Sequence, residues 1–269
     1  MSGPAPGRGT LGAHAVAAIA DELAAAERDR TTVPLLTARH PGMTVEDAYA
    51  VQAEWRRRGV AAGRRLVGHK IGLTSKVMQA ATGIDEPDYG AIFEDMVFAS
   101  GTEIEHARYS NVRVEVELAF RLAAPVEAGA TVDDVLRATE YVVPAMEILS
   151  SRIELAGRTI VDTISDNAAM GGMVVGDTWA DPHDVDLRWV AALLHRGEDV
   201  EESGVAAAVL GHPALGVAWL ATKLAQHGER LEAGELVLAG SFTRPMWVHP
   251  GDLVCADFRE LGTVSCRFI

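Results

Sequence analysis

From Val112 to Phe120 the chain alternates between apolar and polar positions without a break. Val112, Val114, Val116, Leu118 and Phe120 fall on one side, and Arg113, Glu115, Glu117 and Ala119 on the other. Period-two alternation of β-branched and aromatic residues predicts a half-buried strand. Glu115 and Glu117 then share one face, roughly 6.5 to 7 Å apart along the chain. Two readings of that pair stand open. It is a solvated strand face with Arg113 as counter-charge, or it is a pair of oxygen ligands for a hard divalent ion, Mg²⁺ or Mn²⁺.

The pattern elsewhere predicts helices first and strands later. Residues 1–10 are rich in Gly and Pro and read as a disordered tail. Leu11 to Arg28 has apolar residues at helical spacing, and Thr44 with Asp47 resembles a capping box opening a helix to about Arg58. Residues 11–62 thus form an N-terminal helical layer, and 63–269 a β-rich unit continuous with it. Arg64 to Ile71 reads as a strand, with Thr74 or Ser75 capping a short helix to about Thr82. Thr131 opens a helix to about Glu140. Tyr141 to Ile148 reads as a strand whose Pro144 calls for an edge or bulged position. Val185 to His195 and Asp199 to Glu202 read as paired strands. Pro213 to Gln226 is helical, ended by Gly228. Four further strands follow from Glu235, at Glu235 to Ala239, Met246 to His249, Leu253 to Phe258 and Thr263 to Phe268.

Composition narrows the classes of function. The chain has 269 residues, 48% of them hydrophobic, enough for a substantial core. Its formal net charge of −14 argues against nucleic acid and against an acidic membrane surface. No segment approaches the ~20 uninterrupted apolar residues of a membrane span. Cys255 and Cys266 lack metal-site spacing, so a reduced, cytoplasmic protein is expected.

Other residues carry candidate chemistry. Lys70 sits in the run Gly68-His69-Lys70-Ile71-Gly72, whose glycines suggest close backbone approach or a bulge. It is an acid or base of depressed pKa, or an edge-strand Lys guarding against aggregation. Asp85-Glu86-Pro87-Asp88-Tyr89-Gly90 is turn chemistry or an active-site loop. Glu147 lies among Ala145, Met146, Ile148 and Leu149. It is a third ligand beside Glu115 and Glu117, or a Glu on the wet face of an edge strand. Asp166-Asn167 followed by Gly171-Gly172 suggests backbone packed tightly against a site.

Five segments in order carry a family resemblance: Gly68-His69-Lys70-Ile71-Gly72-Leu73-Thr74-Ser75, Asp85 to Gly90, Val114 to Leu118, Asp162-Thr163-Ile164-Ser165-Asp166-Asn167, and Gly240-Ser241-Phe242-Thr243-Arg244-Pro245 with Gly262 to Phe268 after it. Together they resemble the 2-keto-4-pentenoate hydratase family, within the fumarylacetoacetate-hydrolase superfamily, from about residue 40 onward. The resemblance implies a mixed α/β (α+β) fold, with a rolled, largely antiparallel β core and peripheral helices. It implies Mg²⁺, with Mn²⁺ as the alternative, on Glu115, Glu117 and Glu147. It places Lys70 and Asp88 in proton transfer, and Asn167 and Ser241 in the pocket. Arg244 is expected either to meet the far carboxylate of a dioate substrate, ahead of Arg113 and Arg152, or to be a structural or interface arginine.

The activity implied is hydration of a 2-oxo-alkenoate to a 4-hydroxy-2-oxo acid in aromatic meta-cleavage catabolism, with a seven-carbon 1,7-dioate as the first substrate. Hydration of a pentadienoate and decarboxylation of 4-oxalocrotonate are the alternatives. An accessory subunit bracing an enzyme partner is the alternative of another class. The expected partners are a small 2-oxo acid, further copies of the chain and another enzyme of the pathway. Two departures from the family stand out. The segment between Glu147 and Asp162 is shorter, and Arg259 follows Phe258 where relatives carry Gly.

Overall fold

The computed structural model describes residues 9–76, 79 and 86–269. Most of the expected tail, and the end of the short helix expected to Thr82, lie outside them, as does Asp85. Thr10 is tied down, its N–H donating to Asp47 Oδ2 at 3.0 Å.

Helices α1 (Ala13–Asp29), α2 (Leu36–Arg39) and α3 (Val45–Ala61) precede the first strand. The capping box at the start of α3 forms, with Thr44 accepting from Asp47 N–H and Asp47 from Thr44 N–H. The strands then run β1 (Leu66–Gly72), β2 (Asp88–Phe93), β3 (Val97–Ala99), β4 (Thr102–Ile104) and β5 (Arg113–Leu122). After α4 (Val132–Ala138) come β6 (Thr139–Leu149), α5 (Ile160–Ser165), β7 (Met170–Val175), β8 (Ala191–Arg196) and β9 (Asp199–Val205). Helix α6 (Pro213–Ala225) precedes β10 (Leu236–Leu238), β11 (Met246–Trp247), β12 (Leu253–Asp257) and β13 (Thr263–Phe268).

These strands build two mixed sheets. One runs β2-β1-β10-β5-β6-β7-β3, with β11 also pairing β5; the other runs β4-β13-β12-β8-β9. Pairing is antiparallel except for β1–β10, β3–β7 and β13–β4. The apolar face of β5 enters the core, where Val114, Val116 and Phe120 are wholly buried. The helices lie at the periphery, α3 packing on α1 and on α5.

Several local expectations are corrected. Strand β5 is central in its sheet, with β6 on one side and β10 and β11 on the other. Its polar face is more buried than expected at Glu117, which is 0% exposed, while Arg113 and Glu115 are half-buried. Strand β6 is likewise interior rather than an edge. Pro144 is tolerated because β7 stops beside it: Pro144 C=O accepts from Gly176 N–H, just past the end of β7, and Val142 next pairs with Ala180. The missing N–H of Pro144 thus faces the connecting residues 177–179, not a ladder. Helix α4 ends at Ala138 because Thr139 turns extended, its hydroxyl donating to Val135 C=O at 2.7 Å. The long strand expected from Val185 is shortened. Asp186 Oδ1 accepts from Arg188 N–H at 3.2 Å and starts a 3-10 turn at Leu187–Trp189 instead. Arg259 keeps the left-handed turn that glycine suits, at φ 58, with its N–H on Asp257 Oδ1 at 2.7 Å.

Candidate active site

Strand register gathers the candidate residues on one face of the larger sheet. Glu115 pairs directly with Glu147 across β5 and β6, and Glu117 follows two residues on. Lys70 lies opposite Leu238, and Leu238 opposite Ala119, so Lys70 shares that face. Asp88 lies opposite Gly72. The alternation in β5, laid beside the strand carrying Glu147, is what turns scattered acids into a cluster.

One carboxylate oxygen from each of Glu115, Glu117 and Glu147 lies within 4.8 Å of the others. Glu117 Oε2 accepts from Gly240 N–H at 2.9 Å. Glu117 Oε1 and both oxygens of Glu147 are buried without an aligned hydrogen-bond partner. Lys70 Nζ stands 3.1 Å from Glu147 Oε1 as a buried ion pair and donates to Ala168 C=O at 2.9 Å. One ammonium cannot neutralise this many carboxylates. Burial and then the neighbouring Glu147 push the Glu115 carboxyl up to about 8, and the same two causes lead in raising Glu117 well above its ordinary range. Glu147 is raised by burial despite Lys70. Burial alone pulls the Lys70 ammonium down, but Glu147, Asp88, Glu117 and Glu115 outweigh it and hold it above its ordinary value. These acidic neighbours oppose the depression that burial alone would cause, and β1 pairs with β2 on one side and β10 on the other, so Lys70 is no edge-strand guard. Three converging carboxylates, two of them fully buried and with oxygens that lack an aligned hydrogen-bond partner, fit a hard divalent cation.

Asp88 is buried with neither carboxylate oxygen aligned to a partner, and burial raises its pKa in spite of Lys70. Gly72 makes this approach feasible, since a Cβ there would overlap Asp88 Oδ1 and stand 3.2 Å from Lys70 Nζ. Gly68 is the close backbone approach expected of this run, its missing Cβ pointing at Leu236 C=O.

A cavity of about 340 Å³ opens beside the cluster. Lys70, Asp88, Glu115, Arg113, Arg158 and Ser241 are among the residues lining it. Ser241 thus reaches the cavity, although its Oγ is engaged locally, donating to Thr243 C=O at 2.9 Å. Asn167 does not line it. Its side chain clamps Ala91, accepting from the N–H at 2.7 Å and donating to the C=O at 2.9 Å. Asn167, Ala168 and Ala169 are all left-handed, at φ 51, 51 and 57. This uncommon run turns Ala168 C=O onto Lys70, so Asn167 acts through backbone position.

Arg244 also lies off the cavity, exposed and 2.9 Å from Glu202. Arg152 is buried against Asp166, with Nη2 donating to Asp166 C=O at 2.7 Å. Sequence reasoning missed Arg158, the Ala168 carbonyl and the Gly240 N–H. A signal for Arg158 existed: Thr159 and Asp162 form a capping box, which fixes the residue before it at the mouth of α5.

Comparison with known proteins places this geometry in a wider group. Residues 60–269 match the family model "Fumarylacetoacetate (FAA) hydrolase C-terminal". The chain is 48% identical over 263 residues to 2-oxo-hept-4-ene-1,7-dioate hydratase of Escherichia coli, covering 95% of this chain and 98% of that one. It is 41% identical over 229 residues to a 2-keto-4-pentenoate hydratase of Paraburkholderia xenovorans, covering 85% of each. Among solved structures, 4-oxalocrotonate decarboxylase of Pseudomonas putida, complexed with magnesium and adipate, superposes with a TM-score of 0.95 at 35% identity, over 97% of this chain and 100% of that one. The chain belongs to the fumarylacetoacetate hydrolase family.

Proposed function

We propose that this protein is an Mg²⁺-dependent hydro-lyase adding water to a 2-oxo-alkenoate, with 2-oxo-hept-4-ene-1,7-dioate as substrate and a 4-hydroxy-2-oxo acid as product. The observation that carries this reading is the buried carboxylate cluster facing a cavity beside Lys70 and Asp88. The resemblance to the Escherichia coli hydratase supports the choice of substrate, and the magnesium-bound decarboxylase supports the choice of ion. Mn²⁺ suits the same oxygen donors.

Glu115, Glu117 and Glu147 would hold the ion. When bound, it supplies Lewis-acid polarisation of the 2-oxo acid. The remaining chemistry is proton movement. The 2-oxo-4-ene gives up a proton from carbon 3 to form the 2-hydroxydienoate, which takes a proton at carbon 5 and releases its 2-hydroxyl proton, giving an enone conjugated with the 2-oxo group. Water then adds at carbon 4, and carbon 3 takes a proton. Lys70 Nζ and the Asp88 carboxyl are the donors and acceptors for these transfers. Lys70 is fixed by Ala168 C=O, and Asp88 is pulled two ways, by burial toward the protonated form that can donate and by Lys70 toward the carboxylate that can accept. Ser241 and Asn167 shape the pocket wall, directly and through the Ala168 backbone.

The decarboxylase alternative rests on the TM-score of 0.95, since that relative shares the fold almost completely. Assembly into homo-oligomers, contact with another enzyme of the pathway and a cytoplasmic setting belong to the same reading. Among the described residues no helix is long and apolar enough to cross a membrane. Turnover of a 2-hydroxydienoate by the purified chain, lost on chelation and restored by Mg²⁺, is the expected result. No turnover without a second protein would favour the accessory-subunit alternative.

The cluster also predicts how stability depends on pH. A carboxyl whose folded-state pKa is raised contributes stability fully present below its unfolded pKa of roughly 4.3 and lost as pH rises through the folded value. For Glu115 that folded value is about 8. Chelated protein should therefore lose stability from this source between those limits. Binding of Mg²⁺ requires the ionised carboxylates, so its stabilisation should grow over the same window. Melting scans with Mg²⁺ and with chelator should show a small difference in Tm near pH 5 and a larger one near pH 8. A difference that stays constant with pH would argue against these carboxylates as the ligands.

A further inference from the structure

Two arginines line the cavity with no carboxylate to pair with. Arg113 precedes Glu115 by two positions on β5, on the same face, roughly 6.5 to 7 Å along the strand. Its cross-strand neighbour is Leu149, another residue of the cavity wall. Arg113 Nε and Nη2 are buried without a hydrogen-bond partner, and its guanidinium lies over the Trp247 ring at 5.3 Å. Arg158 approaches from the mouth of α5, with Nη1 donating to Ser151 Oγ at 2.8 Å. Among the described residues neither guanidinium forms an ion pair, and both line the same cavity.

Burying an unpaired guanidinium beside a second cation is costly unless an anion completes the arrangement. Glu115 is too far for an ion pair with Arg113, and an ion on the glutamate cluster would draw on its charge. The cavity wall therefore carries two guanidiniums as well as Lys70, Asp88 and Glu115.

We infer that Arg113 and Arg158 form a subsite for a second carboxylate, so that the cavity takes a dicarboxylate 2-oxo acid lengthwise. The reacting end lies at Glu115, Glu117 and Glu147, and the far carboxylate between the two guanidiniums. This rests on the hydratase reading and moves the far-carboxylate contact away from Arg244, which is exposed and paired with Glu202. Guanidinium forks suit carboxylates through paired, charge-assisted hydrogen bonds.

The test uses the Mg²⁺-loaded protein, with Arg158→Met and Arg113→Met as variants. The first measurement is kcat/KM for the seven-carbon dioate and for a five-carbon mono-acid. The second is calorimetric binding of adipate and of hexanoate, which share a chain length and do not react. Either variant should lose roughly 10- to 100-fold on the dioate and on adipate, with little change for the mono-acid and hexanoate. Equal loss on mono- and di-acids, or wild-type adipate binding no tighter than hexanoate, would overturn the subsite. So would a selective loss in Arg244→Ala instead. Arg158 is half-exposed on a loop, so its variant carries the test should Arg113→Met fail to fold. A wild type inert toward both alkenoates would sink the hydratase reading, while the adipate-to-hexanoate ratio would still judge the subsite.

Discussion

Glu117→Gln is expected to lower kcat/KM by roughly 10³-fold in saturating Mg²⁺, because a Lewis acid contributes several kcal/mol and each ~1.4 kcal/mol is tenfold. Glu117 is fully buried, with one oxygen on Gly240 N–H and the other orphaned toward Glu115 and Glu147. Glutamine keeps the volume and an acceptor for Gly240. It removes one of the charges that an ion would compensate, so Mg²⁺ binding should weaken. The fold should not suffer, since the variant also removes a buried like charge. Calorimetry with Mg²⁺ beside a melting curve separates the effects: weaker binding with an unchanged or higher metal-free Tm. Full activity of Glu117→Gln after chelation would end the metal assignment.

Lys70→Met is expected to lower kcat by roughly 10² to 10⁴ while Mg²⁺ still binds. The ammonium is 3% exposed and held between Ala168 C=O and Glu147. Methionine keeps much of the stem's volume and removes the charge and the donors. Loss of a counter-charge should raise the glutamate pKa values further, so Mg²⁺ affinity should be compared at a pH near 8 as well as at neutrality. An unchanged kcat would leave Lys70 as the cluster's structural counter-ion and remove it from the chemistry.

The sequence carried the site to different depths at different residues. The alternation of β5 announced that Glu115 and Glu117 share a face, because a strand's period is two and nothing tertiary alters it. It could not announce that Glu117 on this face is fully buried, which depends on what the fold lays over the sheet. Glu147 was legible as an anomaly, a charge among apolar neighbours, but its register opposite Glu115 is a tertiary fact. Pro144 was read by a sound rule as an edge or bulged position: β6 is interior, and the irregularity lies on its β7 side, where residues 177–179 stand opposite Val143 alone. Arg244 was chosen because its motif resembles a family segment, and the fold turns it outward to Glu202. Asn167 stands in the right motif, yet it works on Ala91 and the backbone. A run of three left-handed residues that includes two alanines has no local signal. The helical layer was the most legible part, because capping boxes and helical periodicity act within one turn.

The central claim is that the carboxylate cluster, Lys70 and Asp88 add water to a 2-oxo-alkenoate. Mass analysis of the product formed from a seven-carbon 2-hydroxydienoate dioate by the Mg²⁺-loaded protein tests it most directly. The claim predicts a product heavier than the substrate by one water, with the new hydroxyl at carbon 4 and labelled when the reaction runs in ¹⁸O-water. Release of CO₂ without gain of water would contradict it and assign the same residues to decarboxylation.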